Sequence, residues 1–262
     1  MLMDRFRLDG KIAVITGAGR GIGRGIALAL AEAGAAVVCA ARTERQIEST
    51  AEQARGLGAR ASAMRCDVNR AEDLDQLVAQ TRETFGRIDV VVNNAGGALP
   101  GLTQATTPQA LEQAFHFNVT APFLLSKLAI PQMLEQGEGV ILNISSAMSH
   151  LVDSGFVAYG TAKAALSHMT RLMACEFAPK IRVNALAVGA VETDALAFVA
   201  GTPELKRKMI ELTPMGRLGT VEDVGLAALY LVSPASSWVT GKVFEIDGGT
   251  VDSNFPMTIK PW

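Results

Sequence analysis

The chain has 262 residues, 49% of them hydrophobic and 19% charged, with a formal net charge of −2 at neutral pH. That is enough chain to bury a sizeable core without disulfides or a structural metal. The near-neutral balance gives no electrostatic case for nucleic acid or an anionic membrane as partner. The opening MLMDRFRLDGK mixes acids and bases, and no apolar run approaches the roughly 20 residues of a membrane span, so a cytoplasmic protein is expected. Cys39, Cys66 and Cys175 show no CxxC and no histidine at ligand spacing, so no metal is expected, and Cys39 and Cys66 read as inert buried thiols.

The elements alternate from end to end. Residues 11–16 (KIAVIT) form a strand closed by a glycine cluster, and 21–34 carry apolar residues at helical spacing. Residues 36–41 (AVVCAA) are a second strand and 43–57 a polar-faced helix, followed by a strand at 59–66 and a helix at 71–85. A strand at 89–93 (DVVVN) precedes one long helix over 108–135. A strand at 139–145, a helix at 158–177 and a strand at 181–187 follow. Residues 189–219 lack a clean period, and a helix at 221–232 and a strand at 242–246 complete the pattern. Near-continuous apolar strands joined by helices imply a parallel sheet covered on both faces. With no linker or repeat, the chain reads as a single doubly wound Rossmann-type α/β domain over 1–262, with about seven strands.

The first strand runs into Thr16-Gly17-Ala18-Gly19-Arg20-Gly21-Ile22-Gly23 and then a helix. Glycines at such a turn let the backbone bend and approach a pyrophosphate, while the helix N-terminus offers free N–H groups and a positive dipole end. The spacing is GxxxGxG, and a strand–turn–helix context makes it a dinucleotide site. An acid ending the second strand would hold the ribose hydroxyls of NAD. Here that place holds Ala40 and Ala41, followed by Arg42 and Thr43, and Arg20 lies inside the turn. Guanidiniums fork onto phosphate oxygens, so NADP(H) is favoured, with NAD(H) also admitted.

Tyr159 and Lys163 stand at i and i+4 on one helix, so phenol and ammonium share a face. A nearby cation is expected to draw the phenol's pKa toward the working range. Ser145 and Ser146 end the fifth strand, at the edge where such sheets bind ligands. Asn118 sits in an apolar stretch (FHFNV) and must find partners there. His116 and His150 have no neighbouring acid in the sequence and read as incidental.

Taken together, TGAGRGIG at 16–23, Cys66-Asp67-Val68, NNAG at 93–96, Asn118, Ser145-Ser146, YGTAK at 159–163 and IDGG at 246–249 resemble the short-chain dehydrogenase/reductase family from about Leu8 to Gly249. The resemblance implies a hydride-transferring oxidoreductase acting on a small-molecule carbonyl or alcohol, and a homotetramer. Tyr159 would be the general acid–base, Ser146 would orient the substrate oxygen, and Lys163 would bind the nicotinamide ribose and tune the tyrosine. Asn118 would anchor a relay water. Asp67 and Val68 would hold the adenine, and Asn93 would secure the central strands. Gly17, Gly19, Arg20, Gly21, Ile22 and Gly23 would meet the phosphates, with Arg42 and Thr43 at the adenosine end. Asn94, Ala95 and Gly96, then Gly189, Val191 and Thr193, would line the rest of the cofactor.

One departure is Val188-Gly189 where the family has Pro-Gly, which implies a less fixed loop beneath the nicotinamide. Several stretches (NNAGG, GAVETDAL, SPASSWVTG) are similar to bacterial 7α-hydroxysteroid dehydrogenases, which makes a hydroxysteroid-like or other bulky hydrophobic substrate the leading expectation. A 3-oxoacyl thioester reductase shares every catalytic motif, and an NADP(H)-sensing protein without turnover is the reading from another class. An enoyl reductase is disfavoured, because that group resembles a wider tyrosine–lysine spacing. Residues 189–219 are expected to form a mobile lid. Its apolar side chains (Leu196, Phe198, Val199, Met209, Ile210, Leu212, Met215) would cover the substrate and leave the charges in water.

Overall fold

A computed structural model describes residues 1–196 and 202–255. Strand β1 (Ile12–Thr16) leads into helix α1 (Gly21–Glu32), β2 (Ala36–Ala41) into α2 (Glu44–Gly56), and β3 (Ala61–Arg65) into α3 (Ala71–Phe85). Then come β4 (Val90–Asn93), α4 (Pro108–Phe115), α5 (Ala121–Gln136), β5 (Gly139–Ser146), α6 (Val157–Phe177) and β6 (Ile181–Val188). Helices α7 (Pro203–Glu211) and α8 (Val221–Val232) and strand β7 (Val243–Ile246) follow. Every strand pairing is parallel, in the order β3-β2-β1-β4-β5-β6-β7.

The strands are apolar at successive positions because both faces are covered. On one side Ala13, Ile15, Val37 and Val92 pack with Ile26 and Leu30 of α1, Ile47 of α2 and Leu231 of α8. On the other, Val14, Val38, Val91 and Ile141 pack with Leu74 of α3, Leu125 and Met133 of α5 and Met173 of α6. Alternate residues of one strand thus serve opposite layers. The order reverses between β1 and β4, and that reversal opens a crevice at the carboxyl ends of the strands.

Two expectations change. The long helix over 108–135 is interrupted by a π-helical turn at His116–Thr120 that separates α4 from α5. One residue too many in that turn leaves the apolar period almost untouched, so a sequence pattern reads straight through it. The loop expected to loosen at Val188 instead continues the sheet. Val188 is buried and in register with Ser146 on one side and Ile246 on the other, and Gly189 N donates to Ile246 O at 3.0 Å. Valine has the N–H and strand preference that proline lacks.

Residues 190–196 and 202–219 are anchored at several points. Gly219 N donates to Ala190 O and Glu192 N to Gly219 O, both at 2.9 Å, while Lys206 pairs with Glu192 at 2.6 Å. Met209 and Leu218 are buried against Ala190, Leu196, Leu205 and Ile210, whereas Leu212 and Met215 are exposed. Phe198 and Val199 lie outside the described residues. No helix of the described residues is long and apolar enough to cross a membrane.

Candidate active site

The crevice is held open by a threonine. Buried Thr16, the last residue of β1, donates through Oγ1 to Val92 O at 3.3 Å and accepts from the N–H groups of Asn94 and Ala95, each at 3.1 Å. Asn94 Nδ2 donates to Thr16 O at 2.8 Å, so the ends of β1 and β4 are tied together on both sides. The chain then turns at Gly17 (φ +66°) so tightly that a Cβ at Gly23 would stand 2.3 Å from Gly17 O. Arg20, extended at the N-cap of α1, offers no side-chain cap, and the first-turn N–H groups face the crevice for an anion.

The resulting cleft has a volume of about 650 Å³. It is lined by Gly17, Gly19, Arg20, Gly21, Ile22, Gly23, Arg42, Thr43, Asp67, Val68, Asn94, Ala95, Gly96, Ser146, Tyr159, Lys163, Gly189, Val191 and Thr193. Of the predicted site residues Asn118 and Asn93 lie behind the wall. A shape that added Cβ atoms would fill, an uncapped helix end, Arg20 in the glycine turn and Arg42 where β2 ends without a carboxylate together fit a dinucleotide.

Helix α6 brings Tyr159 and Lys163 to the inner end of this cleft. Lys163 is 4% exposed, and its Nζ donates to Ile144 O at 2.8 Å and stands 5.8 Å from the Tyr159 ring centroid. Among the described residues no carboxylate pairs with it, and burial pushes its pKa down to about 7. Tyr159 is held above the ordinary phenol value by burial, which outweighs a hydrogen bond with the Ser146 side chain. Burial thus works against the lowering expected from Lys163, and desolvation is the largest influence on both groups.

The two serines divide as strand alternation requires. Ser146 Oγ faces Tyr159 and accepts from Met148 N at 3.2 Å, whereas Ser145 Oγ turns toward α6, donating to Lys163 O at 3.1 Å and meeting Ser167 Oγ at 2.7 Å. Asn118 is fully buried in the π turn. Its Oδ1 accepts from Gly97 N at 2.9 Å and its Nδ2 donates to Gly97 O and Ala114 O, so the side chain is committed to shaping the wall. A Cβ on Gly96 would stand 2.7 Å from Asn118 Oδ1 and 2.9 Å from Lys163 Nζ, which leaves glycine as the residue that fits between them. Asn93 bonds both Ser126 Oγ and Asn143 Oδ1, and Asn143 reaches Thr170 of α6, a buried polar thread that fixes β4, β5 and α6 behind the site.

Sequence reading missed Thr16 as a clamp and Gln46, whose side chain walls the cleft beside Gly19. The glycine motif begins at Thr16 and signalled the first, while nothing local signalled the second. Cys39 and Cys66 are buried, and burial pushes both thiols up to about 12. His150 does acquire an acid neighbour, with Nε2 at 3.7 Å from Glu245 Oε1 and Asp247 close by, but the group lies outside the cleft.

A family model described as enoyl-(acyl carrier protein) reductase matches residues 17–251. The chain is 48% identical over 260 residues to an uncharacterized oxidoreductase of Mycobacterium tuberculosis, covering 99% of each. It is 42% identical over 250 residues to the 7α-hydroxysteroid dehydrogenase of Escherichia coli, covering 95% of this chain and 97% of that one. A solved structure of 7α-hydroxysteroid dehydrogenase complexed with NADH and 7-oxo glycochenodeoxycholic acid has a TM-score of 0.92 at 42% identity, covering 95% of this chain and 97% of that one.

Proposed function

From the premise that this chain belongs to the short-chain dehydrogenase/reductase family and is an oxidoreductase with a nicotinamide cofactor, we propose that it interconverts a ketone and a secondary alcohol with NADP(H), on a hydroxysteroid-like or similarly bulky hydrophobic substrate. The observation that carries this reading is the convergence of Tyr159, Ser146 and Lys163 at the inner end of the dinucleotide cleft.

The first turn of α1 and Gly17–Gly23 hold the pyrophosphate, Arg20 and Arg42 hold a 2′-phosphate, and Asp67 and Val68 border the adenine. Lys163 meets the nicotinamide ribose, with Asn94, Ala95, Gly96, Gly189, Val191 and Thr193 along the remaining wall. The bound cofactor supplies or accepts the hydride. Ser146 donates a hydrogen bond that fixes the substrate oxygen beside Tyr159, and in reduction Tyr159 gives that oxygen its proton. Lys163, poised near neutrality by burial, exchanges a proton with Tyr159's surroundings at little cost. Asn118 keeps the wall at Gly97 in place and anchors the relay water through the π turn.

The reading extends to the whole protein. Residues 1–262 act as one domain in the cytoplasm, in keeping with three unpaired cysteines. Residues 189–219 serve as the substrate lid, with Val191, Thr193 and Leu196 already on the cleft wall. Exposed Phe115, Phe123, Leu172, Leu226 and Trp238 supply apolar surface for a homotetramer. A panel of ketosteroids, bulky ketones, acetoacetyl thioesters and enoyl thioesters, followed by nicotinamide absorbance, tests the substrate class. Turnover of the bulky ketones is expected. Selective turnover of acetoacetyl thioesters would give the reaction to the 3-oxoacyl reductase reading instead.

A further inference from the structure

Arg20 has a second partner. Its Nη1 stands 3.8 Å from Asp194 Oδ2, although the two residues belong to the glycine turn and to the segment after β6. Both side chains are largely exposed, at 65% and 70%, and both line the cleft. The approach is not confined to the side-chain tips, because a Cβ on Gly21 would stand 3.4 Å from Thr193 Cγ2. The segment leading to residues 194–196 therefore lies directly over the start of α1, where the pyrophosphate is held. A carboxylate there faces an anionic ligand, and the Arg20 guanidinium is the cation that neutralises it.

We propose that Asp194 and the cofactor's 2′-phosphate compete for Arg20, so that NAD(H) leaves the Arg20–Asp194 tether in place and NADP(H) breaks it. This rests on the assignment of Arg20 to the 2′-phosphate. A phosphate is the stronger partner for a guanidinium, because it offers more acceptor oxygens and more charge than an exposed carboxylate at 3.8 Å. Once Arg20 turns to the phosphate, Asp194 loses its ion-pair partner at the cleft wall. Asp194 acts as a specificity-determining residue that moderates the preference for NADP(H).

Fluorescence titration of wild type, Asp194→Asn, Arg20→Ala and the double variant with NADPH and with NADH tests this. Exposed ion pairs contribute about 0.2–1 kcal/mol, so Asp194→Asn should tighten NADPH binding by up to about five-fold while leaving NADH unchanged. In the Arg20→Ala background the same substitution should leave the NADPH-to-NADH ratio unaltered. Equal tightening of both cofactors would place Asp194 against the shared pyrophosphate and overturn the competition, as would an unchanged ratio in Asp194→Asn. The underlying assignment is read from a different number. If Arg20→Ala alone does not weaken NADPH relative to NADH, Arg20 does not hold the 2′-phosphate, and the competition falls with it.

Discussion

Lys163 Nζ donates a hydrogen bond to the Ile144 carbonyl oxygen at 2.8 Å, which draws a nearly buried lysine onto the end of strand β5 with no carboxylate to balance it among the described residues. The carbonyl accepts one N–H of the ammonium, yet desolvation wins and the pKa falls to about 7. Desolvation thus favours the neutral amine in a lysine expected to serve as a fixed cation.

That placement makes stability depend on pH. An unfolded lysine keeps its proton up to about 10.5, while the folded one gives it up above about 7. Between those values the unfolded state binds more protons, so the contribution of this lysine to stability falls as pH drops from about 10 toward 7 and is level below that. The full loss is on the order of a few kcal/mol. Lys163→Met should be more stable than wild type near pH 7 and lack the rise at higher pH. Tyr159 above its ordinary value of 10, and the buried thiols of Cys39 and Cys66 above 9, act in the opposite sense, so melting curves below about pH 8, read as the difference between the two proteins, isolate the lysine. Parallel curves for the two proteins would show that Lys163 is charged in the fold.

Cofactor choice follows from the end of β2. With Ala41 and Arg42 where an NAD site places an acid, and Arg20 in the turn, NADPH should bind more tightly than NADH by about 1–3 kcal/mol, or roughly 5- to 150-fold. Arg42→Ala should remove much of that difference and spare NADH affinity. Titration showing NADH bound as tightly as NADPH by the wild type would contradict the assignment.

The lid reading concerns exchange kinetics. Glu192 N and Gly219 N donate backbone hydrogen bonds, so these two amides should be protected already in the free enzyme. The amides of Thr193–Leu196 and the first turn of α7 should gain protection when cofactor and a bulky ketone bind. Equal protection with and without ligand would mean a permanently packed segment, and substrate size would then be set elsewhere.

Much of this architecture could be read from residue patterns, because the strands are buried on both faces and stand out as apolar runs between helical periods. Helices α3 (Ala71–Phe85) and α8 (Val221–Val232) fell where the period placed them. The π turn did not, since one extra residue at His116–Thr120 shifts the helix face without changing its apolar character. The cleft wall was traceable through local motifs, as the glycine turn, Asn94–Gly96 and the Tyr159–Lys163 pair each act within a few residues. What stayed hidden depends on distant chain segments meeting, as with Gln46 beside Gly19, Glu245 beside His150 and Asp194 beside Arg20. The depth of Lys163 was hidden for the same reason: its pKa is set by the desolvation of everything packed around it, not by its spacing from Tyr159.

The most direct test of the account is single-turnover reduction of a bulky ketone by Tyr159→Phe, with NADPH affinity measured on the same preparation. The substitution removes one hydroxyl that bonds Ser146 and leaves the glycine turn and Arg20 untouched. The account predicts a fall in the chemical rate of about 10²–10⁴-fold, with NADPH affinity nearly unchanged. A variant that reduces the ketone at close to the wild-type rate would show that the proton comes from another group and that Tyr159 is not the acid.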